Sequence, residues 1–250
     1  MHVLPPRTAG VRMSIQQSAI RNRLLAALPP ADFAELANRL QPVEMELKQV
    51  LHEPGQKFQT VYFPEGGMVS HVAPMDNGHS VEVGVVGREG LVGLPALLGA
   101  QRATIEAMVR MEGHAWRIRP DELRAAYERS AALRALLMRY MQAFHAQVSQ
   151  TAACNAQHGV DARLARWLLM MHDRAGQDEF PMTHEFLALM LGSRRPSISV
   201  AAAVLQKSGA IRYAHGRMTV LDRAGLEAAA CECYGVVQEQ FDDLLGVPVG

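Results

Sequence analysis

Two adjacent arginines, Arg194 and Arg195, stand at the head of an apolar, alanine-rich run in the stretch LGSRRPSISVAAAVLQKSGAI. A guanidinium group can bind phosphate oxygens, and it can also donate two parallel hydrogen bonds to the edge of a guanine base. Both kinds of contact require a rigid element that presents the arginine side chains to solvent.

The sequence after the arginines predicts a helix, which is a rigid element that can present them to solvent. Pro196 is compatible with a first helical turn, where its missing N–H has no helical acceptor to lose. One face should be buried, because apolar residues recur at the helical spacing i, i+3, i+4 and i+7: Ile198, Ala201, Ala202 and Leu205. The opposite face should be smooth and exposed, with Ser199 beside it: Pro196, Val200, Ala203 and Lys207.

A second short helix, THEFLALML, precedes this one, with Thr183 as the predicted N-cap and Gly192 as the turn that ends it. Two such helices make a helix-turn-helix whose second member can lie in a DNA major groove. The following segment AIRYAHGRMTVLD predicts a hairpin around His215-Gly216, a wing whose Arg212 and Arg217 can contact phosphates.

Charge gives weak support to this interpretation. The whole chain has 25 basic and 25 acidic residues, so it has no overall attraction to a polyanion. Basic residues exceed acidic ones by three between positions 158 and 223. A helical protein-interaction module with solvated arginines is the alternative. The predicted DNA-binding residues are Thr183, Arg194, Arg195, Ser197, Ser199, Val200 and Arg217.

The N-terminal half has a different pattern of glycines and apolar residues. Residues 1–13 lack periodicity and are expected to form a disordered extension, with Met13 as a possible true start. Residues 14–40 predict two short amphipathic helices. Glycines then separate short alternating runs up to position 119, the pattern of an antiparallel sandwich, roll or barrel, so 14–120 is taken as one domain.

A long helix is predicted over 121–158, where no Gly or Pro occurs. An apolar seam recurs along it at spacings of about three and four: Leu133, Leu137, Tyr140, Phe144, Val148 and Thr151. The seam could pack on the chain's own β domain, but we favour a homodimer contact because so long a helix overhangs a small roll. The helix-turn-helix domain then covers 159–223, and a C-terminal helix and tail cover 224–250.

The order of β-roll, long helix and winged helix-turn-helix resembles the Crp/Fnr family of bacterial transcription regulators from Ser14 onward. This resemblance implies an α+β fold with an N-terminal antiparallel, jelly-roll-like β-roll, a long dimerisation helix and a C-terminal winged helix-turn-helix. It also implies a homodimer that reads palindromic double-stranded DNA and contacts RNA polymerase. Arg195 falls on the family's base-reading arginine. Pro196 and Val200 replace the family's usual glutamate and second reading arginine, so the family's commonest half-site is not carried over.

The family's roll is a sensor, and GREGLVGLPALLGAQRATIEAMV matches its cyclic-nucleotide phosphate cassette. Arg102-Ala103-Thr104 fits the phosphate end, but Gly93 is followed by Leu94 where a ribose-binding glutamate is needed. We therefore expect no control by cyclic AMP. Another anion, an apolar effector or no effector at all stay open. The candidate effector-pocket residues are Gly93, Leu94, Arg102, Ala103, Thr104 and Ser149.

Other chemistries find little support in the sequence. An iron–sulfur cluster needs about four thiolates, whereas Cys154 stands alone and Cys231 and Cys233 form one close pair, so idle cysteines are expected. Histidines such as His71, His79 and His114 lack metal-ligand spacing, and no catalytic residues, metal or cofactor are predicted. No leader or membrane span is visible, which favours a cytoplasmic location. A ligand-sensing or protein-docking regulator with little DNA affinity is the alternative function.

Overall fold

The computed structural model describes residues 15–76 and 80–246. Two short helices, α1 (Arg23–Ala26) and α2 (Pro30–Ala37), come first, separated at Pro29 as the sequence predicts. The predicted extension 1–13, the alternative start Met13 and His79 lie outside the described residues.

Seven strands follow and form the predicted roll. They are β1 (Gln41–Met45), β2 (Val50–His52), β3 (Val61–Pro64), β4 (Met68–Pro74), β5 (Ser80–Val86), β6 (Glu106–Met111) and β7 (Gly113–Ile118). They pair antiparallel in two sheets, ordered β1-β7-β3 and β2-β6-β4-β5. Valine and alanine side chains, together with one methionine, fill the space between the sheets: Met45, Val69, Val86, Val92, Ala107, Val109 and Ala115.

The prediction of a single helix over 121–158 is wrong in one respect, because two helices span this region. α3 (Pro120–Arg129) ends before Ser130, whose extended backbone and side chain begin α4 (Ala131–Gln157). The Ser130 hydroxyl accepts a hydrogen bond from the Leu133 amide at 2.9 Å, which is an N-cap contact. Ser130 is therefore the sequence signal for the break.

The C-terminal part combines five helices and a small sheet among the described residues. Its elements are α5 (Val160–Ala175), β8 (Glu179–Pro181), α6 (His184–Met190), α7 (Arg195–Lys207), β9 (Ile211–Ala214), β10 (Arg217–Val220), α8 (Arg223–Ala229) and α9 (Cys233–Leu245). The three strands form an antiparallel sheet in the order β8-β10-β9. Helix α9 then returns to α4, where Val237 and Phe241 join the core beneath the N-terminal helices.

Two buried polar contacts join α5 to the roll. The indole Nε1 of Trp167 donates to Glu82 Oε1 at 2.7 Å. The Arg174 guanidinium lies 2.6 Å from Glu89 Oε1, with both side chains at most 2% exposed. Because a buried charge without its partner is costly, these contacts fix the position of α5 against the roll.

Candidate nucleic-acid interface

The helices α6 and α7 form the predicted helix-turn-helix. The Thr183 hydroxyl caps α6 by accepting from the Phe186 amide at 3.2 Å. Gly192 follows with a φ of +54°, a backbone conformation that glycine adopts without the strain a side chain would cause. This turn lets α7 begin at Arg195 with Pro196 in its first turn, as the sequence predicts.

The rotational setting of α7 also agrees with the sequence. Its predicted inner face is buried and packs in the same core as α5: Ile198, Ala201, Ala202 and Leu205. Val200 is 66% exposed and Val204 is 54% exposed on the opposite side. The first turn is exposed throughout, so it presents Arg194, Arg195, Pro196 and Ser197 to solvent.

Ser199 has a structural role that the sequence does not reveal. Its hydroxyl lies 2.9 Å from His184 Nδ1 and donates to the Arg195 carbonyl at 3.1 Å. Burial, and secondarily the charge of Arg195, lower the pKa of His184, so this ring is neutral at pH 7. The His184 ring also stacks on Tyr213 with ring centroids 4.2 Å apart. Together these contacts hold α6, α7 and β9 in one arrangement.

The predicted wing is the β9–β10 hairpin. His215 and Gly216 have φ values of +50° and +73°, the signs that a two-residue type I′ turn requires. The Gln206 side chain of α7 accepts from the Tyr213 amide at 2.7 Å, which fixes the hairpin beside the recognition helix. Arg212 and Arg217 are both exposed on it.

Two of the exposed arginines are paired with carboxylates of neighbouring elements. Arg195 Nε lies 3.0 Å from Glu185 Oε1. Arg217 Nε lies 2.5 Å from Glu179 Oε1, and this hydrogen bond lowers the pKa of Glu179. Since exposed ion pairs are weak and screened by salt, a phosphate or a base can displace either carboxylate.

The predicted effector residues do not surround a common cavity. A cavity of about 140 Å³ lies between β2 and β3, and of the six candidates only Ala103 lines it. Leu94 is buried in the apolar core, and Thr104 and Ser149 are exposed at separate places. Arg102 Nη1 donates to the Gly55 carbonyl at 2.6 Å instead of facing a ligand pocket. The six residues do not line one cavity in this structure, and their role in binding an effector stays a prediction.

Helix α4 packs against the roll, in part through the side chains of Phe144 and Gln147. Phe144 packs against the roll core, and its ring lies 5.2 Å from that of His71. The Gln147 side chain accepts from the Val85 amide at 2.6 Å. Organic ligand pockets commonly measure about 300–1,000 Å³, so the 140 Å³ beside Ala103 is small for one.

The predicted dimer seam has a different role. Leu133, Leu137 and Tyr140 are at most 3% exposed within one chain, and the Tyr140 hydroxyl donates to the Leu91 carbonyl at 3.1 Å. Phe144 packs into the roll, and Val148 is half-buried. Leu133, Leu137 and Tyr140 therefore attach α4 to its own domain, which is the alternative that the sequence left open, whereas a contact of Val148 with a second copy stays a prediction. The same period of three and four serves an internal packing face.

The cysteines are also not isolated from one another. Cys154 Sγ lies 3.5 Å from Cys231 Sγ, and Cys233 Sγ lies 3.4 Å from His158 Nδ1. Burial raises the pKa of Cys154 and of Cys231. Cys154 is the one cysteine of α4, as the sequence indicates, but the fold brings it next to Cys231, which is 77 positions away.

Comparisons with known proteins agree with this architecture. A cyclic nucleotide-binding domain model matches residues 42–130, and a Crp-like helix-turn-helix domain model matches residues 162–229. The transcriptional regulator LdrP of Thermus thermophilus is 32% identical over 192 residues, which is 73% of this chain and 93% of the relative.

Solved structures share the fold. A putative Crp/Fnr-family transcriptional regulator from Eubacterium rectale superposes with a TM-score of 0.67 at 19% identity, covering 82% of this chain and 96% of that one. A CRP-family transcriptional regulator from Thermus thermophilus gives 0.65 at 23% identity, covering 75% and 96%. The predicted α+β arrangement of roll, helix and helix-turn-helix is confirmed.

Proposed function

This chain belongs to the Crp/Fnr family of transcription regulators, and from that premise we propose that it binds double-stranded DNA as a homodimer. The observation that supports this most strongly is the exposed first turn of α7, which presents Arg194 and Arg195, together with the exposed Arg212 and Arg217 of the wing. In this proposal α7 enters the major groove, Arg195 reads a guanine edge, and Arg217 contacts a phosphate.

A stripe on α4 supports the proposed dimer. All of its members are exposed, and they recur at alternating spacings of four and three: Ala131, Ala135, Met138, Gln142, His145, Ser149, Ala152 and Ala156. This is the heptad spacing of two helices that lie along each other. The many alanines allow the two backbones to approach closely. The stripe lies outside the buried face that holds α4 on its own roll, so both contacts can exist together.

The proposed dimer sets the distance and the orientation between the two helix-turn-helix motifs. Two α7 helices related by a two-fold axis can read inverted half-sites about one helical turn of DNA apart. Helix α5 begins directly after α4, with only His158 and Gly159 between them. Because α7 packs in the same core as α5, the orientation of α4 determines the position of α7. An effector that moves the roll can act through the Trp167–Glu82 and Arg174–Glu89 contacts.

We propose that cyclic AMP is not that effector, because the cavity beside Ala103 is small and the ribose-holding carboxylate is missing from the cassette. Contact with RNA polymerase is a further proposal that rests on family membership.

A protein-docking regulator with little DNA affinity is the second candidate function. It is favoured by three exposed apolar side chains on the helix-turn-helix: Leu189 at 38%, Val200 at 66% and Val204 at 54%. Apolar groups at such positions can equally contact thymine methyl groups, which is why we prefer the DNA-binding function.

Fluorescence anisotropy with a labelled random duplex, measured at several salt concentrations, separates the two functions. Phosphate contacts predict that affinity falls steeply as salt rises, and that Arg194→Glu/Arg195→Glu abolishes binding. Arg119→Glu is the matched control, because Arg119 is as exposed as Arg195 but lies on the roll. Absence of binding at low salt, or equal effects of the variant and the control, would favour the docking function.

A further inference from the structure

Four side chains with metal-binding atoms converge where α4 ends. Cys154 and His158 come from the last turn and C-cap of α4, and Cys231 and Cys233 come from the junction of α8 and α9. Their ligand atoms all lie within 4.8 Å of one another. The three cysteines are at most 8% exposed, so water has little access to the thiols.

The distances suit a single tetrahedral ion. Bond lengths of about 2.3 Å to sulfur and 2.0 Å to nitrogen give tetrahedral edges of roughly 3.8 Å between sulfurs and 3.5 Å between sulfur and nitrogen. The Cys154–Cys231 sulfurs lie 3.5 Å apart, and Cys233 Sγ lies 3.4 Å from His158 Nδ1. In a [4Fe–4S] cluster each thiolate binds a different iron, and in a [2Fe–2S] cluster the four ligands divide between two irons, so some ligand atoms must stand farther apart than these four do. The arrangement therefore fits one ion better than a cluster.

Neighbouring polar groups orient two of these four residues. His158 presents Nδ1 to Cys233 and places its other nitrogen, Nε2, 3.3 Å from Glu232 Oε1. A carboxylate on the far nitrogen is the usual support of a metal-bound histidine, because it fixes the tautomer and the ring. The Gln150 amide lies 3.0 Å from Cys233 Sγ, in position to donate to a thiolate.

Buried positive charge lies next to the cluster. Arg163 and Arg166 of α5 are 9% and 6% exposed, and their charges act on Cys154. The Nε atoms of both are buried and have no hydrogen-bond partner among the described residues. Three thiolates, one neutral imidazole and a divalent ion carry a net charge of minus one, which would partly neutralise these two guanidinium groups.

We propose that Cys154, His158, Cys231 and Cys233 form a mononuclear Zn²⁺ site. Four protein ligands leave no open position, which is the property of a structural zinc site and not of a catalytic one. The ion would join the end of α4 to the α8–α9 junction and so hold the first turn of α5 between them. Arg163, whose charge acts on Cys154, also donates to the Leu191 carbonyl at the turn of the helix-turn-helix, so one residue beside the site contacts the turn that precedes α7.

The test is metal content, which needs no DNA and is independent of the proposed function. The full chain is loaded with Zn²⁺ under reducing conditions, passed through a desalting column and analysed by elemental mass spectrometry. We expect about one zinc per chain. Replacement of zinc by Co²⁺ should give the intense visible bands and sulfur charge-transfer absorption of tetrahedral cobalt with thiolate ligands.

Single substitutions test which side chains bind the zinc ion. Cys233→Ser and His158→Gln should each lower Zn²⁺ affinity at least a hundred-fold, whereas Glu232→Gln should lower it about ten-fold through the loss of its support to the His158 ring. His114→Gln, which changes an exposed histidine on strand β7, is the control and should retain the metal. The cobalt spectrum of the unmodified chain tests the site even where a variant fails to fold. Loss of zinc on the desalting column, an octahedral cobalt spectrum, or bound iron with inorganic sulfide would overturn the assignment.

Discussion

Arg195 Nε lies 3.0 Å from Glu185 Oε1, and both side chains are more than 60% exposed. The pair joins the first turn of α7 to the first turn of α6 on the surface that we assign to DNA. The carboxylate therefore stands where a phosphate or a guanine edge would compete for the same guanidinium.

Removal of this carboxylate charge should strengthen DNA binding. We expect Glu185→Gln to tighten non-specific binding about two- to five-fold at low salt, because it frees Arg195 and removes repulsion of the phosphates. Anisotropy titration measures the change, and Glu128→Gln on the exposed side of α3 is the control. Unchanged or weaker binding of Glu185→Gln would show that Arg195 does not face the DNA.

The exposed stripe of α4 should hold the dimer. Met138→Lys/Ser149→Lys should give monomers in sedimentation, because like charges would then face each other across the two-fold axis. Leu98→Lys, which changes an equally exposed apolar residue on the roll, should leave the dimer intact. By contrast, Tyr140→Lys should lower the free energy of unfolding by about 3–5 kcal/mol, since it buries an unpaired charge. If Met138→Lys/Ser149→Lys remains a dimer, the interface lies outside the exposed stripe of α4.

Cyclic AMP should not bind to the roll. Calorimetric titration at micromolar ligand should give no saturable heat, because Phe144 and Gln147 pack against the roll and Leu94 stands where the family's cassette has the ribose-binding glutamate. DNA affinity should also be the same with and without the nucleotide. Saturable binding would show that the cavity expands and that the cassette is functional.

His71 should make the protein less stable in acid. Burial, and secondarily the charge of His52, lower the pKa of His71 to about 4, against 6.5 in the unfolded chain. The unfolded state therefore binds the proton first, so stability is fully present above pH 6.5 and is lost as the pH falls toward 4. Between pH 7.5 and 5 the loss from this group should be about 2 kcal/mol.

Urea unfolding at the two pH values measures this loss. His71→Phe, which keeps a planar ring beside Phe144, should remove that part of the pH dependence. An identical pH dependence in the variant would assign the acid sensitivity to other groups.

The recognition helix could be predicted in detail because its signals are local. Pro196 marks its start, and the spacing from Ile198 to Leu205 sets its rotation. The long helix shows the limit of the same method. Two faces of α4 repeat at spacings of three and four, and the face with the larger side chains, Leu133 to Phe144, packs on its own roll. Periodicity cannot tell an internal partner from a second copy of the chain.

The cysteine cluster could not be predicted from the sequence for another reason. Its members come together only because α9 folds back along α4, a long-range contact that leaves no local pattern. The same holds for the closure of the roll by Gln147, which is a polar residue without an apolar signature.

The central claim is that a homodimer reads DNA through the first turn of α7, and selection of bound sites from a random duplex library tests it most directly. We predict an enriched motif of two inverted half-sites with centres about 10–11 base pairs apart. Arg195→Ala should relax one base pair in each half-site by about 1–3 kcal/mol without changing their spacing. Enrichment of no motif, or a motif identical for the two proteins, would contradict the account.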